Sequence, residues 1–248
     1  MNGKLYIVAT PIGNLGDITL RALETLKSVD FVLCEDTRVT QKILNHYKID
    51  TSTISYHQHS KDKKVNEIIK LLEEGKDLAL VTDAGTPGIS DPGNQLISVI
   101  LSKTERSEVK LKDPILIHNE VGDLSTPLRS AQDDVTIPIP GASAIITALS
   151  ISGFPTDKFV FMGFPPHKKG RKKYFGQVAD TKYTVAFYES CHRIKKALGE
   201  LSEILENDRQ ICICRELTKK FETIYRGTIT EINEMNIKEK GEFVVVIN

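Results

Sequence analysis

Short apolar runs alternate along the chain with segments whose apolar positions recur every three or four residues. Leu5-Tyr6-Ile7-Val8-Ala9, Phe31-Val32-Leu33-Cys34, Leu78-Ala79-Leu80-Val81 and Val135 to Ile139 read as buried strands, and Thr53-Ile54-Ser55-Tyr56 as a shorter one. Between them, residues 19–27, 40–46, 65–74, 96–101 and 143–152 read as helices. The first is expected to bury Leu20, Leu23 and Leu26, and the third Ile68, Ile69, Leu71 and Leu72, with Gly75 as its stop. Strand–helix alternation of this kind predicts an α/β fold with a largely parallel sheet.

Gly153-Phe154-Pro155 marks a boundary, after which the pattern becomes richer in strands. Residues 159–163, 184–188, 211–214, 221–225 and 242–247 read as strands. Ile224 to Thr228 reads as a strand ending before a short helix, residues 194–205 as a helix, and His167 to Lys173 as a basic loop. A mixed second sheet is expected. The domains are therefore read as 1–153 and 154–248, with the default ligand site in the cleft between two such domains. Residues 102–134 fit neither period and carry turn signals at Asp113-Pro114, Gly122-Asp123 and Thr126-Pro127, which reads as an inserted segment.

Three glycine- and proline-rich turns follow apolar runs: Thr10 to Asn14, Asp83 to Gly93, and Ile139 to Ala144. Turns after parallel strands lie at the carboxyl edge of the sheet, where open α/β folds bind ligands. Glycine admits close approach of main chain to a ligand, and proline stiffens the turn. The expectation is a pocket built largely from main chain.

Composition changes this picture little. The chain has 248 residues, 40% of them apolar, with 33 basic and 33 acidic side chains. Zero net charge gives no global attraction to nucleic acid or membrane and leaves room for a local basic patch. From the start at Met1-Asn2-Gly3-Lys4 no signal peptide is expected, and no apolar run reaches the roughly 20 residues of a membrane helix. The four cysteines lack metal or redox spacing, which fits reduced thiols in a cytoplasmic protein.

Several chemistries are absent: no GxGxxG follows the first strand, and there is no GxxxxGK[ST], HExxH or GxSxG. The glycine turns have no adjacent lysine. They suit a ligand held by neutral main chain and shape, and S-adenosylmethionine, which carries no phosphate, is such a ligand.

Longer strings carry a resemblance. Residues 5–23, Glu35-Asp36-Thr37-Arg38, Ser55-Tyr56-His57 and Asp83 to Gly93 resemble the small-subunit ribosomal-RNA methyltransferase I family, within the tetrapyrrole-methylase class. So do Gly163-Phe164-Pro165, Phe187 to Ser190, His192-Arg193, Arg215 to Glu222, Arg226-Gly227-Thr228 and Lys240 to Phe243. The resemblance covers the chain except 102–134. It implies a two-domain α/β homodimer with S-adenosylmethionine in the interdomain cleft, methylating a cytidine ribose 2′-oxygen in the decoding centre of 16S rRNA, with the 30S subunit as partner.

The resemblance also assigns cofactor contacts to Pro11, Gly85, Thr86, Ile89, Ser143, Ala144, Tyr188, Glu189, Leu217 and Thr218. Thr82 and Cys191 depart from the family's usual Ser and Pro without threatening a site. The stretch from Asn94 to Ile139 is more than twice the family's usual length. The chain ends at Asn248, where many relatives continue, so an RNA contact made there would have to come from elsewhere.

A ribose hydroxyl is a poor nucleophile and benefits from a general base. Asp36, Glu35, His57 and Glu189 are candidates, Asp36 first because it directly follows a strand and neighbours Arg38; its alternative role is a helix cap. Arg38 could hold a phosphate or pair with Glu35 or Asp36. His57 and His59 alternate like metal ligands but lack a third partner, so no metal is expected. His167-Lys168-Lys169-Gly170-Arg171-Lys172-Lys173, followed by Tyr174 and Phe175, is the dense basic patch. Lys168, Lys169, Arg171 and Lys172 are its candidate phosphate contacts, with Lys219, Lys220 and Arg21 as extensions; a solvated loop is the alternative. A tetrapyrrole methylase and a non-catalytic RNA-binding module stay open as other readings.

Overall fold

A computed structural model describes residues 3–57, 62–91, 94, 96–101 and 135–248. The predicted insert at 102–134 and His59 lie outside the described residues. The chain divides into two compact units, one of residues 1–11 and 16–141, the other of residues 12–15 and 142–248. The division falls before the helix that opens at Ala144, and the short segment 12–15 belongs with the second unit.

The first unit holds strands β1 (Leu5–Val8), β2 (Phe31–Cys34), β3 (Ser52–Ser55), β4 (Leu78–Leu80) and β5 (Thr136–Ile139). They form a sheet in the order β3-β2-β4-β1-β5, and every pair is parallel. The parallel expectation follows from strands that are apolar throughout: β4 is buried at all three positions because both sheet faces are covered. One face packs Leu5, Leu33, Leu78 and Leu80 against Ile68, Ile69 and Leu72 of helix α3 (Asp62–Glu73), joined by Leu96 and Ile100 from helical residues 96–101. The other packs Val8, Val32, Ala79 and Val81 against Ala22 and Leu26 of α1 (Leu20–Ser28) and Leu44 of α2 (Thr37–His46).

Two local readings shift. Helix α2 starts at Thr37 rather than Thr40, because the Asp36 carboxylate accepts the Arg38 N–H at 2.9 Å and caps the helix there. Leu20 is 79% exposed, contrary to the expected apolar stripe. The buried side of α1 runs through Ala22, Thr25 and Leu26, and Leu20 lies about 200° around the helix from Ala22.

The second unit holds β6 (Phe159–Phe161), β7 (Thr184–Ser190), β8 (Gln210–Arg215), β9 (Thr223–Thr228) and β10 (Glu242–Ile247). Their order is β6-β7-β10-β8-β9, with β6 parallel to β7 and the remaining pairs antiparallel, the mixed sheet expected. Helix α4 (Ala144–Ser152) lies on one face, with Ile145, Ala148 and Leu149 packed among Ala186, Cys212, Val244 and Ile12. Helices α5 (Arg171–Asp180), α6 (Ile194–Ser202) and α7 (Ile229–Glu234) cover the other. Helix α5 corrects the basic-loop reading at residues 171–173, while 167–170 keep the loop expected of them. Its buried Tyr174, Phe175 and Val178 share a face at helical spacing, and that face fixes the helix despite the lysines around it. Helix α7 opens on a reciprocal capping box between Thr228 and Glu231.

Burial sorts the cost of truncation. Ile68→Ala, at a fully buried position, is expected to destabilise by about 2–5 kcal/mol. Leu20→Ala is expected to stay within about 0.5 kcal/mol of the parent. Urea unfolding of the two variants checks the contrast.

Candidate functional site

In a parallel sheet all strands leave by the same edge, so the turns after β1, β2 and β4 emerge together. Their closest link is main chain. Thr10 N–H donates to the Gly85 carbonyl at 2.9 Å, and Gly85 N–H returns a bond to the Thr10 carbonyl at 3.1 Å. The buried Thr10 hydroxyl donates to the Thr82 carbonyl at 3.0 Å. Gly85 and Gly88 both have φ +89, a left-handed conformation that a side chain resists. Gly88 N–H donates to Asp91 Oδ1 at 2.6 Å, and Asn94 Nδ2 donates to the Gly88 carbonyl at 2.6 Å, closing the turn on itself. Pro11 is buried beside this bridge, Thr86 is half-buried, and Ile89 is exposed.

Glu35 leaves the end of β2 into a small recess of about 10 Å³ lined by Tyr56, Leu80, Val81, Thr82, Pro87 and Asp91. Burial raises the Glu35 carboxyl above the usual glutamate range, Asp83 and Asp91 push it further, and His57 opposes them. Asp36, one residue on, has the opposite surroundings. Arg38 Nε and Nη2 reach its two oxygens at 3.0 and 2.7 Å. That side chain first, and then the Arg38 N–H, holds the Asp36 carboxyl down at about 2. Asp36 is therefore a cap and an ion-pair partner, and a very weak base. Arg38 is 87% exposed and occupied by Asp36. Asp36 N–H in turn donates to Asp83 Oδ1 at 3.2 Å, which ties the two turns together.

In the second unit, Ser143 caps α4 by position but makes no cap hydrogen bond through its side chain, and Ala144 follows at the first helical position. Tyr188 lies half-buried near the end of β7. Leu217 is buried between Glu216 (φ +52) and Thr218 (φ +65), two side-chain-bearing residues in left-handed conformation. Strained turns of this kind concentrate at ligand sites. The Thr218 hydroxyl is shielded from solvent and has no hydrogen-bond partner among the described residues. Lys219 is committed to Glu216 at 3.0 Å and Glu242 at 2.8 Å, while Lys220 stays exposed beside the Phe221 ring.

Burial changes two of the expected roles. The Glu189 side chain is fully buried, paired with Arg193 at 2.8 Å and with Arg171 at 3.6 Å, so its carboxylate is closed to solvent and committed to two guanidiniums. Arg171, read as a phosphate contact, is 4% exposed. Its guanidinium binds Glu200 through Nε at 2.9 Å and Nη2 at 2.5 Å, and donates to the Pro166 carbonyl at 3.1 Å. Lys168, Lys169 and Lys172 remain exposed. The helix period at Tyr174, Phe175 and Val178 was the signal that Arg171 begins a packed element. Asp83 and Asp91, which tune Glu35, had no signal beyond their place in the glycine turn. Among the described residues no group of three or more His, Cys, Asp or Glu side chains could hold a metal ion. No helix of the described residues is long and apolar enough to cross a membrane.

Comparison with known proteins adds to this geometry. The family model for Tetrapyrrole (Corrin/Porphyrin) Methylases matches residues 4–110 and 116–233. A protein of Halalkalibacterium halodurans named ribosomal RNA small subunit methyltransferase I is 44% identical over 250 residues, covering 99% of this chain and 75% of the relative. Its namesake in Thermotoga maritima is 38% identical, covering 99% of this chain and 98% of the relative. Among solved structures, the methyltransferase CobJ superposes with a TM-score of 0.66 at 16% identity, covering 99% of this chain and 94% of that one. Uroporphyrin-III-C-methyltransferase from Thermus thermophilus superposes with a TM-score of 0.63 at 15% identity, with the same coverages. At these identities the structures show a shared fold.

Arg171→Ala is expected to leave Glu189 and Glu200 short of a partner and to cost about 3–5 kcal/mol of stability, the range for breaking a buried ion pair. Lys168→Ala should leave stability within about 0.5 kcal/mol of the parent. Thermal unfolding of both checks this, and equal melting temperatures would return Arg171 to the surface.

Proposed function

The chain belongs to the tetrapyrrole methylase family, and from that premise we propose that it is an S-adenosylmethionine-dependent methyltransferase acting on small-subunit ribosomal RNA, at a cytidine ribose 2′-oxygen of the decoding centre. The observation that carries this reading is the name borne by relatives 38–44% identical over 99% of the chain. The tetrapyrrole substrates named for the solved structures belong to proteins only 11–18% identical, and likeness at that level supports the fold alone.

The residues present fit S-adenosylmethionine. The turns at 9–15, 81–91 and 140–144 carry no lysine or arginine, so they offer neutral main chain to a ligand without phosphate. The Thr10–Gly85 bridge and the glycine at 88 make room for close approach of that main chain, and the shielded Thr218 hydroxyl is free to bond a ligand atom. We assign the methionine portion to Pro11, Gly85, Thr86, Ile89, Ser143 and Ala144, and the adenosine portion to Tyr188, Leu217 and Thr218. When bound, the sulfonium supplies an electrophilic methyl group.

The chain's own task is to position the ribose oxygen and take its proton. Glu35 suits the second part better than Asp36, because burial and the neighbouring Asp83 and Asp91 strengthen it as a base. The electrostatic sign is definite. As pH rises through the raised Glu35 range, ionisation is opposed first by burial and then by two like charges, so stability falls there while the catalytic form accumulates. The exposed Lys168, Lys169 and Lys172 supply phosphate contacts.

The decisive experiment offers radiolabelled S-adenosylmethionine with 30S subunits and, in parallel, with a porphyrinogen. Label in 16S rRNA alone is the expected result, and label in the porphyrinogen alone reverses the reading. Glu35→Gln should lower turnover by roughly 10²-fold or more with cofactor affinity little changed. The acid limb of the parent kcat/KM profile should lie above the usual glutamate pKa of about 4.3 and move to lower pH in Asp83→Asn. A limb near 2 would return the role to Asp36. Changing Lys168, Lys169 and Lys172 together to Ala should flatten the salt dependence of RNA binding by somewhat under about one log–log unit per lost contact. An unchanged slope would make them solvated lysines only.

A further inference from the structure

The loop between β6 and α5 is held from beneath by buried charge. Pro165 and Pro166 have no N–H, so their carbonyls are the polar groups this stretch must satisfy. Arg193 Nη1 donates to the Pro165 carbonyl at 3.0 Å, and Arg171 Nη1 to the Pro166 carbonyl at 3.1 Å. Both guanidiniums converge on the buried Glu189 carboxylate. Just upstream, Tyr188 N–H donates to the Gly163 carbonyl at 2.9 Å, which pins the start of the loop to β7. Gly163 has φ +65 and turns the chain at that point.

The residue so presented is Phe164. Its neighbour Pro165 is buried, yet Phe164 is 52% exposed. One edge of the ring rests on Tyr188, with centroids 5.2 Å apart and planes inclined at 47°, and Tyr188 is braced in turn by an edge contact from Phe161 at 5.1 Å. A half-exposed aromatic ring on a rigid, doubly clamped loop loses little side-chain freedom on binding. Three residues further on, the chain exposes His167, Lys168 and Lys169. An aromatic face followed by cationic side chains matches a nucleotide strand, in which bases stack and phosphates alternate with them. A membrane or an acidic protein surface would satisfy the lysines but leaves the rigid, single ring without a purpose.

We propose that Phe164, held in place by the Arg171–Glu189–Arg193 cluster, stacks an unpaired base of the RNA substrate while Lys168 and Lys169 take the adjoining phosphates. The inference rests on the rRNA reading above and adds to it that the bound segment is single-stranded at this point. Bases inside a duplex are already stacked and offer the ring no face.

The chain contains no tryptophan, so Phe164→Trp places a single tryptophan at the ring, excited selectively to the red of the tyrosines. Its emission is expected to be quenched by a short single-stranded RNA of mixed sequence, and unaffected by the same sequence as a duplex. In fluorescence anisotropy, Phe164→Ala and Phe164→Leu should weaken binding of the labelled single strand by roughly 5- to 100-fold, as loss of one stacked base does, while Phe164→Tyr retains it. Circular dichroism and calorimetric cofactor affinity should match the parent in every variant. Undiminished single-strand binding by Phe164→Ala overturns the proposal with the rRNA reading intact. A loss of calorimetric cofactor affinity in Phe164→Ala moves the ring to the adenine, and a shift in sedimentation on mutation moves it to a subunit contact; either result also overturns it. Failure of the parent protein to bind or methylate any RNA removes the rRNA reading itself.

Discussion

Two main-chain hydrogen bonds between Thr10 and Gly85 hold the first unit's candidate site in shape. They cross between the turns that follow β1 and β4, which are neighbours in the sheet and leave it in the same direction. The bridge sits beyond the sheet's last regular pairing and needs Gly85 at φ +89. Once it forms, the chain from Thr82 to Asp91 must fold back over the end of β2, and Glu35 becomes enclosed by Thr82, Pro87 and Asp91. The acidity of one carboxylate is thus a consequence of where a glycine lets the backbone turn.

Identical chemical groups take different parts here because their surroundings differ. Glu35 and Asp36 are adjacent, yet one is raised by burial beside two carboxylates and the other is lowered by a guanidinium. Arg171 and Lys172 are adjacent in a basic run, yet the arginine is buried on Glu200 and Glu189 and the lysine is exposed. Arginine suits the interior because its planar fork meets carboxylates and carbonyls at fixed angles and keeps its charge. Lysine, a hydrated point charge, stays outside.

The alternation of apolar runs and helical periods was enough to place both sheets, because buried strands are apolar throughout and the helices between them repeat at their own spacing. The turns were visible for an equally physical reason: glycine and proline mark conformations other residues resist. Pairings between side chains of different elements were not visible. Nothing local distinguishes Glu189 from an exposed glutamate at a strand end. Its carboxylate is met by Arg171 from the start of α5 and by Arg193 from the cap of α6, and only the folded unit brings those two together. Nor did the charge of 167–173 reveal helix α5, since the lysines masked the apolar face of Tyr174, Phe175 and Val178. Asp36 was legible both as a candidate base and as a cap, and the fold adds the cap bond and the pairing with Arg38 that hold its carboxyl low.

The order of strands in the first sheet also has a consequence in time. Strand β1 is synthesised before either of its two neighbours, β4 and β5, which end at Leu80 and Ile139. At the roughly 5–20 residues per second of translation, on the order of ten seconds separate the emergence of β1 from that of its second partner. Throughout that interval Leu5-Tyr6-Ile7-Val8 is an apolar strand with an open edge on a nascent chain. Such an edge invites pairing with foreign strands until β4 and β5 arrive to cover it.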